Sequence, residues 1–580
     1  MSNSIWKFVH TKVGNFSGFN CSHHRMLTQK VGLEVPIFVD EVVPNQNSKL
    51  SLSLAIELPP FAFDFFGNIN YCVEAFFIPT RLLMGGYEYF YANQKMTTAN
   101  TNNAIDVLAP VFSFANYGGE ANWPAATVSS YQSFIDNNFV AQGTLADYLG
   151  FRQPADWFNL TNSGDTRKYM SLLPFIAYWR IIDDWYRNAQ IERPYFRPLD
   201  ATQTVTSYTS LRAPACPWIP LSSSNYMFEA ITGSGASAQF TDVNFRLLPS
   251  LGSGSNILNF RLFDLAHRNW SYDPFTTAQA SSLVSGSAQR LEVTTISGVD
   301  YISIPGFYGA NAIQMFLNRN NLASPRLQDQ VHARTGANLE NGVAQRAILL
   351  GAHRIPIISS PVEQTSMNVG SSQNPFNSVG NKYGDARGSA QNLTFKFHAD
   401  EPGYLFVLGS VVPDCVYSFG VNPMLLRYIG AGSITDMADS NLEMAGPHEV
   451  KMESIAAVTH QSNYTFGYQD PYWSFKTMLP SVHGLFRYGE SLDAAVSQRA
   501  LDGRGAAINI STDFLKIREN ALDNVTAVSS WLSQYGAMVD VWADYRKTLP
   551  VHAYRVPSLV DPAFEHGHDV TIQRAGTRIS

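Results

Sequence analysis

Hydrophobic and polar residues alternate most regularly near the start of the chain, at residues 49–58. Leucine or isoleucine occupies every second position there, and serine, alanine and glutamate fill most of the others. A period of two places alternate side chains on opposite faces of a β-strand, so the pattern predicts a strand with one buried face and one wetter face. A turn at Gly67 precedes a second apolar run at 71–78, which Pro79 ends, and this run predicts a second strand.

The strand pattern returns late in the chain. Phe395 and Phe397 alternate with polar residues, residues 401–403 form a turn signal, and the apolar run 404–412 ends at Pro413. Two such runs joined by a short turn predict a β-hairpin. Because strand signals lie near both ends of the sequence, we predict a β-sandwich whose first and last strands pair across long insertions.

The middle of the chain has a helical period. Apolar residues recur at spacings of three and four in residues 172–187, which predicts an amphipathic helix. Shorter helices are predicted at 312–318 and 343–350. Serine, threonine, glycine and proline dominate residues 193–262, so this segment is predicted to be an elaborate insertion without a core of its own.

The sequence contains segments that begin like catalytic motifs, but each lacks a residue or an arrangement that the chemistry requires. His448-Glu449 begins like a zinc protease helix, but the position of the second metal ligand is Met452. Two adjacent carboxylates, Asp183 and Asp184, point about 100° apart on a helix, and each has an arginine four residues away with which it can pair on a solvated face. The arginines are Arg187 and Arg180 respectively. We therefore expect no enzyme activity and no cofactor.

The composition favours a protein that is covered by other proteins. Charged residues make up 15% of the chain and aromatic residues 13%, whereas about 25% charged residues is typical. Protein interfaces are poor in charge and rich in aromatic residues, so the balance fits extensive subunit contacts. A large monomer with a large core remains the other interpretation. A net charge of −7 excludes a polyanion-binding character for the whole molecule, so any contact with nucleic acid must be local.

The cysteines and the apolar segments indicate the cellular compartment in which the protein folds. Cys21, Cys72, Cys216 and Cys415 lie far apart, which excludes a C-x-x-C metal or redox motif and fits free thiols in a reducing cytoplasm. The first residues have no apolar secretion signal, and no stretch approaches 18 consecutive apolar residues. We expect no transmembrane segment and a protein that is made and matures in a cytoplasm.

Candidate sites follow from residue type. Basic and aromatic residues are interleaved near the N-terminus, as in proteins that bind single strands, although an ordinary flexible arm has the same composition. With two arginines near the C-terminus, the DNA-contact candidates are Trp6, Lys7, Lys12, Arg25, Lys30, Arg574 and Arg578. Aromatic anchors dominate interfaces, and the subunit-interface candidates are Phe61, Phe65, Phe66, Tyr87 and Tyr89. No metal is assigned, because a polar tail explains the weak candidates Glu565, His566, His568 and Asp569 equally well.

Short motifs in a fixed order resemble one viral family. The segment VPIFVDE at 35–41, followed by Pro44, resembles the V-P-I-F-V-D-E-x-x-P motif of gokushovirus major capsid proteins, and FFIPTRL at 76–82 resembles their F-F-x-P-x-R-L. Gokushoviruses are a branch of the microviruses, which are small single-stranded DNA bacteriophages. Further similar motifs are LADYLG at 145–150, LPFIAY at 173–178, DPFTTA at 273–278, PVEQTS at 361–366, FGYQ at 466–469 and RVPSLVD at 555–561. The sequence departs from the family after the predicted helix, where Asn188 replaces aspartate.

The resemblance implies a mainly β fold, a single eight-stranded viral jelly roll with long, partly helical insertions. It implies a capsid protein that forms a T=1 icosahedral shell around a circular single-stranded DNA genome. Its partners would be further copies of itself, the DNA, a small basic DNA-packaging protein, other virion proteins and a host-surface receptor. The runner-up, a phage receptor-binding or carbohydrate-binding β protein, predicts trimer-forming repeats or a coiled-coil stalk, and the sequence has neither.

The same resemblance divides the chain. Residues 1–34 are expected to be an interior N-terminal arm, 35–192 and 263–561 the jelly-roll core with helical insertions, and 562–580 a C-terminal tail. Residues 193–262 are expected to form a surface projection that is used in host attachment, as in gokushoviruses. The residues expected to pack this projection are Trp218, Tyr226, Phe228 and Phe240.

Overall fold

The computed structural model describes most of the predicted core. The described residues are 16–83, 141–153, 168–188, 191–192, 263–279, 327–337, 345–363, 382–426, 448–458, 465–470, 472–504, 508–527 and 536–550, with short stretches or single positions at 87, 91, 95–98, 101–106, 111–114, 246–247, 294–296, 299–301, 308 and 312.

Strands are the main elements of the described residues. They are β1 (Ser17–Asn20), β2 (His23–Gln29), β3 (Val35–Val42), β4 (Gln46–Glu57), β5 (Ile69–Pro79), β6 (Lys95–Thr98), β7 (Thr101–Asp106), β8 (Val111–Phe114), β9 (Lys168–Ser171), β10 (Arg246–Leu247), β11 (Thr294–Ile296), β12 (Val299–Tyr301), β13 (Ile348–Glu363), β14 (Lys382–Ala399), β15 (Gly403–Pro413), β16 (His448–Lys451), β17 (Thr465–Gln469) and β18 (Ala537–Leu549).

The helices are shorter. They are α1 (Leu145–Tyr148), α2 (Leu173–Ile181), α3 (Leu327–Thr335), α4 (Trp473–Lys476) and α5 (Thr512–Leu515), and a π-helical turn (Ile182–Tyr186) continues α2. The 3₁₀ turns are Thr80–Leu82, Pro423–Leu426, Met452–Ser454, Gly484–Phe486 and Asp493–Ala495.

One large antiparallel sheet forms the centre of the molecule. Its strand order is β1-β18-β4-β14-β13-β5-β15-β3, and β2 also pairs with β18. The long strand β13 pairs with β5 through residues 348–357 and with β14 through residues 358–363. The sheet therefore curls into two layers, one formed around β4 and β18 and the other around β5 and β15. This mainly β architecture confirms the predicted jelly-roll fold.

Alternation of side chains explains the core. Along β4 the residues Leu50, Leu52 and Leu54 are buried, and the intervening residues are exposed or half-buried. The same alternation along β18 buries Val541 and Tyr545 against them. Each large apolar side chain that is fully buried contributes about 1.5–3 kcal/mol relative to an exposed one. The predicted strands at 49–58 and 71–78 are thus confirmed as β4 and β5.

The predicted hairpin near residue 400 is wrong, although both of its strands exist. The neighbours of β14 are β4 and β13, whereas the neighbours of β15 are β5 and β3. The short turn at 400–402 therefore carries the chain from one layer of the jelly roll to the other. The predicted pairing of the first and last strands is confirmed by β1 and β18, in which Ser17 lies opposite Leu549.

The long predicted helix is confirmed as α2 and its π-helical continuation, and both predicted ion pairs form. Arg180 Nε lies 3.1 Å from Asp184, and Arg187 Nε lies 2.6 Å from Asp183. The predicted solvated face is corrected, because both carboxylates are buried. Asp184 also accepts a hydrogen bond of 2.9 Å from the backbone N–H of Ala347, so this face packs on the chain.

The helix predicted at 343–350 is wrong. Strand β13 begins at Ile348, which lies opposite Phe77 of β5. The edge of β5 offers backbone partners to this apolar run, and pairing with the sheet overrides a weak helical period. Of the other short helix, predicted at 312–318, only position 312 is described.

The described part of the predicted N-terminal arm belongs to the sheet. From Ser17 onward it forms β1 and β2, which pair side by side with the last strand, β18. Cys21, Cys72 and Cys415 are free thiols, and Cys216 lies outside the described residues. In the part of the chain that the structure describes, no helix is long and apolar enough to cross a membrane.

Candidate assembly surface

Two segments beyond the end of β15 build one end of the molecule. Residues 414–426 follow β15 directly, and residues 472–504 lie beside them. Tyr417 forms parallel bridges with both Ser481 and Arg499, and the backbone N–H of Arg499 donates to the carbonyl of Val416 at 2.7 Å. The segments thus form one unit on the jelly roll.

Aromatic residues fix this unit to the core. Phe275 is fully buried, and its ring centroid lies 5.0 Å from that of Tyr417 and 6.0 Å from that of Trp473. The Tyr417 hydroxyl donates to Asp273 at 2.7 Å. Burial raises the pKa of the neighbouring Cys415 thiol to about 11, so this thiol stays protonated and unreactive at neutral pH. The base of the unit is therefore buried and held by ring contacts and a hydrogen bond.

The outer side of the unit carries three exposed apolar side chains that lie beside two half-buried rings, those of Phe419 and Phe486. Phe66, Leu485 and Tyr488 have relative exposures of 59%, 56% and 55%. The Phe66 ring lies 5.8 Å from that of Phe486, and the Tyr488 ring lies 6.0 Å from that of Phe419. We call these five residues the apolar surface. Further exposed apolar side chains on the same two segments are Met424, Leu425, Phe475 and Met478.

The turn that carries the apolar surface has a fixed conformation. Gly484 and Gly489 bracket it with φ angles of 64° and 83°, which favour glycine. The side-chain amide of Gln498 donates to the Phe486 carbonyl at 3.1 Å. The backbone N–H of Leu492 donates to the Leu485 carbonyl at 3.1 Å. Contiguous exposed apolar side chains are uncommon on soluble monomers and mark sites of protein contact. This arrangement can bury apolar area against another protein without first reorganising.

A buried ion cluster ties the helical insertion to the jelly roll. The Arg268 guanidinium lies 3.0 Å from Glu34 and 2.8 Å from Glu74, and the Tyr186 hydroxyl donates to Glu74. Burial raises the pKa of Glu34 to about 7, and the nearby Arg268 opposes this shift. One guanidinium thus serves two carboxylates. Because burial outweighs the attraction of Arg268, Glu34 is more readily protonated than an ordinary glutamate.

The predicted interface residues lie in different environments. Phe61 and Phe65 are buried in the core with ring centroids 5.2 Å apart, so their side chains stabilise the fold and are not accessible to a neighbour. Phe66, the next residue, is exposed. The half-buried Tyr87 lies 5.7 Å from the exposed ring of Tyr91. Tyr89 lies outside the described residues.

The described DNA-contact candidates have partners within the chain. Arg25 is half-buried and donates to the backbone carbonyls of Tyr148 and Ile37. Lys30 Nζ lies 2.7 Å from Glu519. Both cations therefore stabilise the folded chain, and their contact with DNA stays a prediction. The candidates outside the described residues are Trp6, Lys7, Lys12, Arg574 and Arg578.

Two other predicted sets also lie outside the described residues. They are the projection candidates Trp218, Tyr226, Phe228 and Phe240 and the weak metal candidates Glu565, His566, His568 and Asp569. Of the predicted insertion at 193–262, only the short strand β10 is described. Where side chains are described, three or more His, Cys, Asp or Glu residues do not gather into a possible metal site.

Sequence reasoning did not single out most of the apolar surface. Leu485, Phe486 and Tyr488 lie in the segment GLFRYG, in which two glycines bracket three apolar residues. Glycines at both ends of a short segment indicate a tight turn, and turns lie at the surface. Three apolar residues between two such glycines are the sequence signal that points to this surface.

Comparison with known proteins gives consistent matches along the chain. The profile of a family described as capsid protein (F protein) matches residues 8–128 and 236–559. The chain is 20% identical over 613 residues to capsid protein VP1 of Chlamydia phage 1, covering 94% of this chain and 95% of that protein. It is 22% identical over 581 residues to capsid protein VP1 of Bdellovibrio phage phiMH2K, covering 93% and 95%. It is 21% identical over 594 residues to capsid protein VP1 of Spiroplasma virus 4, covering 95% and 98%.

Proposed function

This chain belongs to the phage capsid protein (F protein) family, and from this premise we propose that it assembles into a T=1 icosahedral shell around a circular single-stranded DNA genome. Its role in the virion is structural. The jelly roll suits this role, because it limits open sheet edges while neighbouring copies tile a surface.

The apolar surface is the observation that carries the proposal. Aromatic residues that enter an interface contribute most of its binding energy, particularly where the backbone beneath them is already fixed. Phe66, Phe486 and Tyr488 are aromatic, and the backbone of Phe486 is held by the Gln498 side chain. A neighbouring subunit that covers them removes apolar area from water at about 25 cal/mol per Å².

Two further functions belong to the same proposal. The DNA is held with the help of a small basic packaging protein and other virion proteins, which fits a chain whose net charge is −7. Residues 193–262 form a projection that binds a host-surface receptor. Its support is the composition of the segment, since loops carried on a rigid scaffold are common sites of recognition.

Adjacent phenylalanines provide a matched experiment on assembly. Phe66→Ala removes an exposed ring, so the thermal unfolding temperature should stay within a few degrees of wild type. Shell formation should weaken by about 2 kcal/mol or more per contact. Phe65→Ala leaves a cavity in the core and should cost about 3–5 kcal/mol of folding stability. Calorimetry measures the fold, and sucrose-gradient sedimentation measures assembly.

The two variants separate folding from assembly. If Phe66→Ala forms shells at wild-type concentrations, the apolar surface is not a subunit contact. If it unfolds as Phe65→Ala does, the assignment of Phe66 to the surface is wrong.

A further inference from the structure

The outward face of the β18, β4 and β14 layer is rich in hydroxyl and amide groups. Its side chains alternate with the buried core residues of the same strands. Ser51 lies opposite Thr394 on β14, and their hydroxyl oxygens are 3.3 Å apart. Asn47 lies opposite His398, with 2.9 Å between the side-chain oxygen and the ring nitrogen. We call this surface the hydroxyl face.

Three cations cross the hydroxyl face in one row. Lys49 on β4 is the register partner of Arg546 on β18 and of Lys396 on β14. All three side chains are exposed. Register partners in antiparallel strands point to the same side of the sheet, and neighbouring strands are about 4.8 Å apart. The row therefore concentrates three positive charges within about 10 Å.

Among the described residues, the Asp544 carboxylate lies beside the row and interacts with two of its three cations, Arg546 and Lys49. Arg546 lies 3.2 Å from Asp544 on its own strand. Lys49 and Lys396 form no ion pair with any residue that the structure describes. Like charges directly opposite each other destabilise a sheet. The row therefore keeps an excess of positive charge, which an anion can neutralise.

Arg387 on the same layer is a cation whose charge is balanced by carboxylates of the chain. Its guanidinium lies 3.3 Å from Glu57 on β4 and 3.1 Å from Asp385 on β14. Like the residues of the row it is exposed, yet two carboxylates of the chain lie within ion-pair distance of it. The contrast makes Arg387 a matched control for Lys49 and Lys396.

An aromatic pair lies on the same face. Trp542 has a relative exposure of 57%, and the His24 ring stacks on it with 4.0 Å between centroids and 16° between planes. Trp542 precedes Arg546 by four positions on β18, so the ring and the row are about 13 Å apart along the strand. A few nucleotides of an extended single strand span this distance.

We propose that the hydroxyl face binds single-stranded DNA. In this proposal the phosphates contact the row of cations, which consists of Arg546, Lys49 and Lys396. Trp542 stacks on a base. The hydroxyl and amide groups of the face form hydrogen bonds with the sugars. Cations that follow a backbone, combined with an exposed aromatic ring, bind single strands without regard to sequence. The inference rests on the proposed capsid function in identifying the bound strand as the genome and in placing this face on the interior of the shell.

Binding of a labelled oligo(dT) to the full-length unassembled protein, followed by fluorescence anisotropy at several salt concentrations, tests the proposal. The Lys49→Gln, Lys396→Gln double variant should bind at least tenfold more weakly at low salt. The slope of log affinity against log salt should fall by about 1.4, because about 0.7 counterion is released per phosphate on a single strand. Arg387→Gln should bind as wild type. An unchanged affinity of the double variant, or an equal loss with Arg387→Gln, overturns the proposal.

The aromatic contribution has a different signature. Trp542→Ala should weaken binding about tenfold without changing the salt slope, and Trp542→Phe should restore most of the affinity. The lysine double variant should unfold at a temperature no lower than wild type, because it removes a repulsion. If it loses thermal stability together with binding, the row is structural and the proposal fails.

Particles from infected or expressing cells separate this inference from the proposed function. Shells of the double variant that form normally but contain less DNA support the inference. Normal shells with a normal DNA content contradict it. If the wild-type chain forms no shells but binds oligo(dT) through the row, the proposed capsid function is wrong. The proposal that the hydroxyl face binds single-stranded DNA is then still supported.

Discussion

Arg268 illustrates how single residues hold the helical insertion, which contains α2, on the jelly roll. Its guanidinium contacts Glu34, Glu74 and the Ser410 hydroxyl, which lies 3.1 Å away. Nearby, the Tyr178 hydroxyl of α2 donates to the Glu34 carbonyl at 2.7 Å. Buried ion pairs of this kind specify one arrangement, and removal of one partner leaves an uncompensated charge.

The stability of this cluster should depend on pH. The pKa of Glu34 is 4.5 in its ordinary state and about 7 in the folded chain, where burial disfavours the carboxylate. Between these values the folded chain binds more protons than the unfolded chain, so the free energy of unfolding falls as pH rises from about 4.5 to about 7. The loss is on the order of 3 kcal/mol, at about 1.4 kcal/mol per pKa unit.

Glu34→Gln should remove this dependence, because glutamine cannot ionise. Urea unfolding at intervals between pH 4.5 and 7.5 measures the difference between wild type and variant, in which contributions from the histidines cancel. Parallel curves for the two proteins would show that Glu34 does not titrate in this interval.

At the scale of elements, β1 and β2 protect the edge of β18, because both strands pair with it and occupy its backbone groups.

Deleting residues 2–12 removes no described strand, so the unfolding temperature should not change. The particles should contain less DNA if these first residues bind it. Deleting residues 2–29 also removes β1 and β2 and should cost about 3 kcal/mol or more, or cause aggregation through the open edge. Thermal unfolding, light scattering and DNA content of particles are the measurements. Equal stability of the two deletions would contradict the role of these strands.

The elements also show how far sequence reasoning reaches. Strand β4 was predictable because its period of two reflects one buried face. Strand β5 and helix α2 were predictable from their apolar residues, and the structure buries almost every residue of both. The partner of a strand was not predictable, because local pattern does not distinguish a hairpin from a crossover between layers. For this reason the turn at 400–402 was misread. The helix predicted at 343–350 failed because a neighbouring strand edge was available.

The candidate site was harder to predict than the fold. Phe65 and Phe66 are identical in type and adjacent, yet only the second is exposed. Their difference arises from the direction in which the chain leaves Phe61, which depends on distant backbone contacts such as the Phe66 N–H with the Ala495 carbonyl at 2.8 Å. Lys49 and Lys396 likewise become neighbours only through the register of β4 and β14.

At the scale of the whole molecule, the jelly roll separates two proposed contacts. Four of the five residues of the apolar surface lie on the segments 414–426 and 472–504, and the fifth, Phe66, lies between β4 and β5. The hydroxyl face is the outward side of the β18, β4 and β14 layer. A subunit arranged in this way can contact its neighbours and the genome through different side chains. Variants of one surface should therefore leave the function of the other intact.

Electron microscopy of the purified chain, with a reconstruction of any closed particles, tests the central claim most directly. The account predicts closed, uniformly small shells with T=1 icosahedral symmetry, in which the residues of the apolar surface lie against a neighbouring subunit. Soluble monomers at high protein concentration, or shells in which Phe66, Leu485 and Tyr488 face solvent, would contradict it.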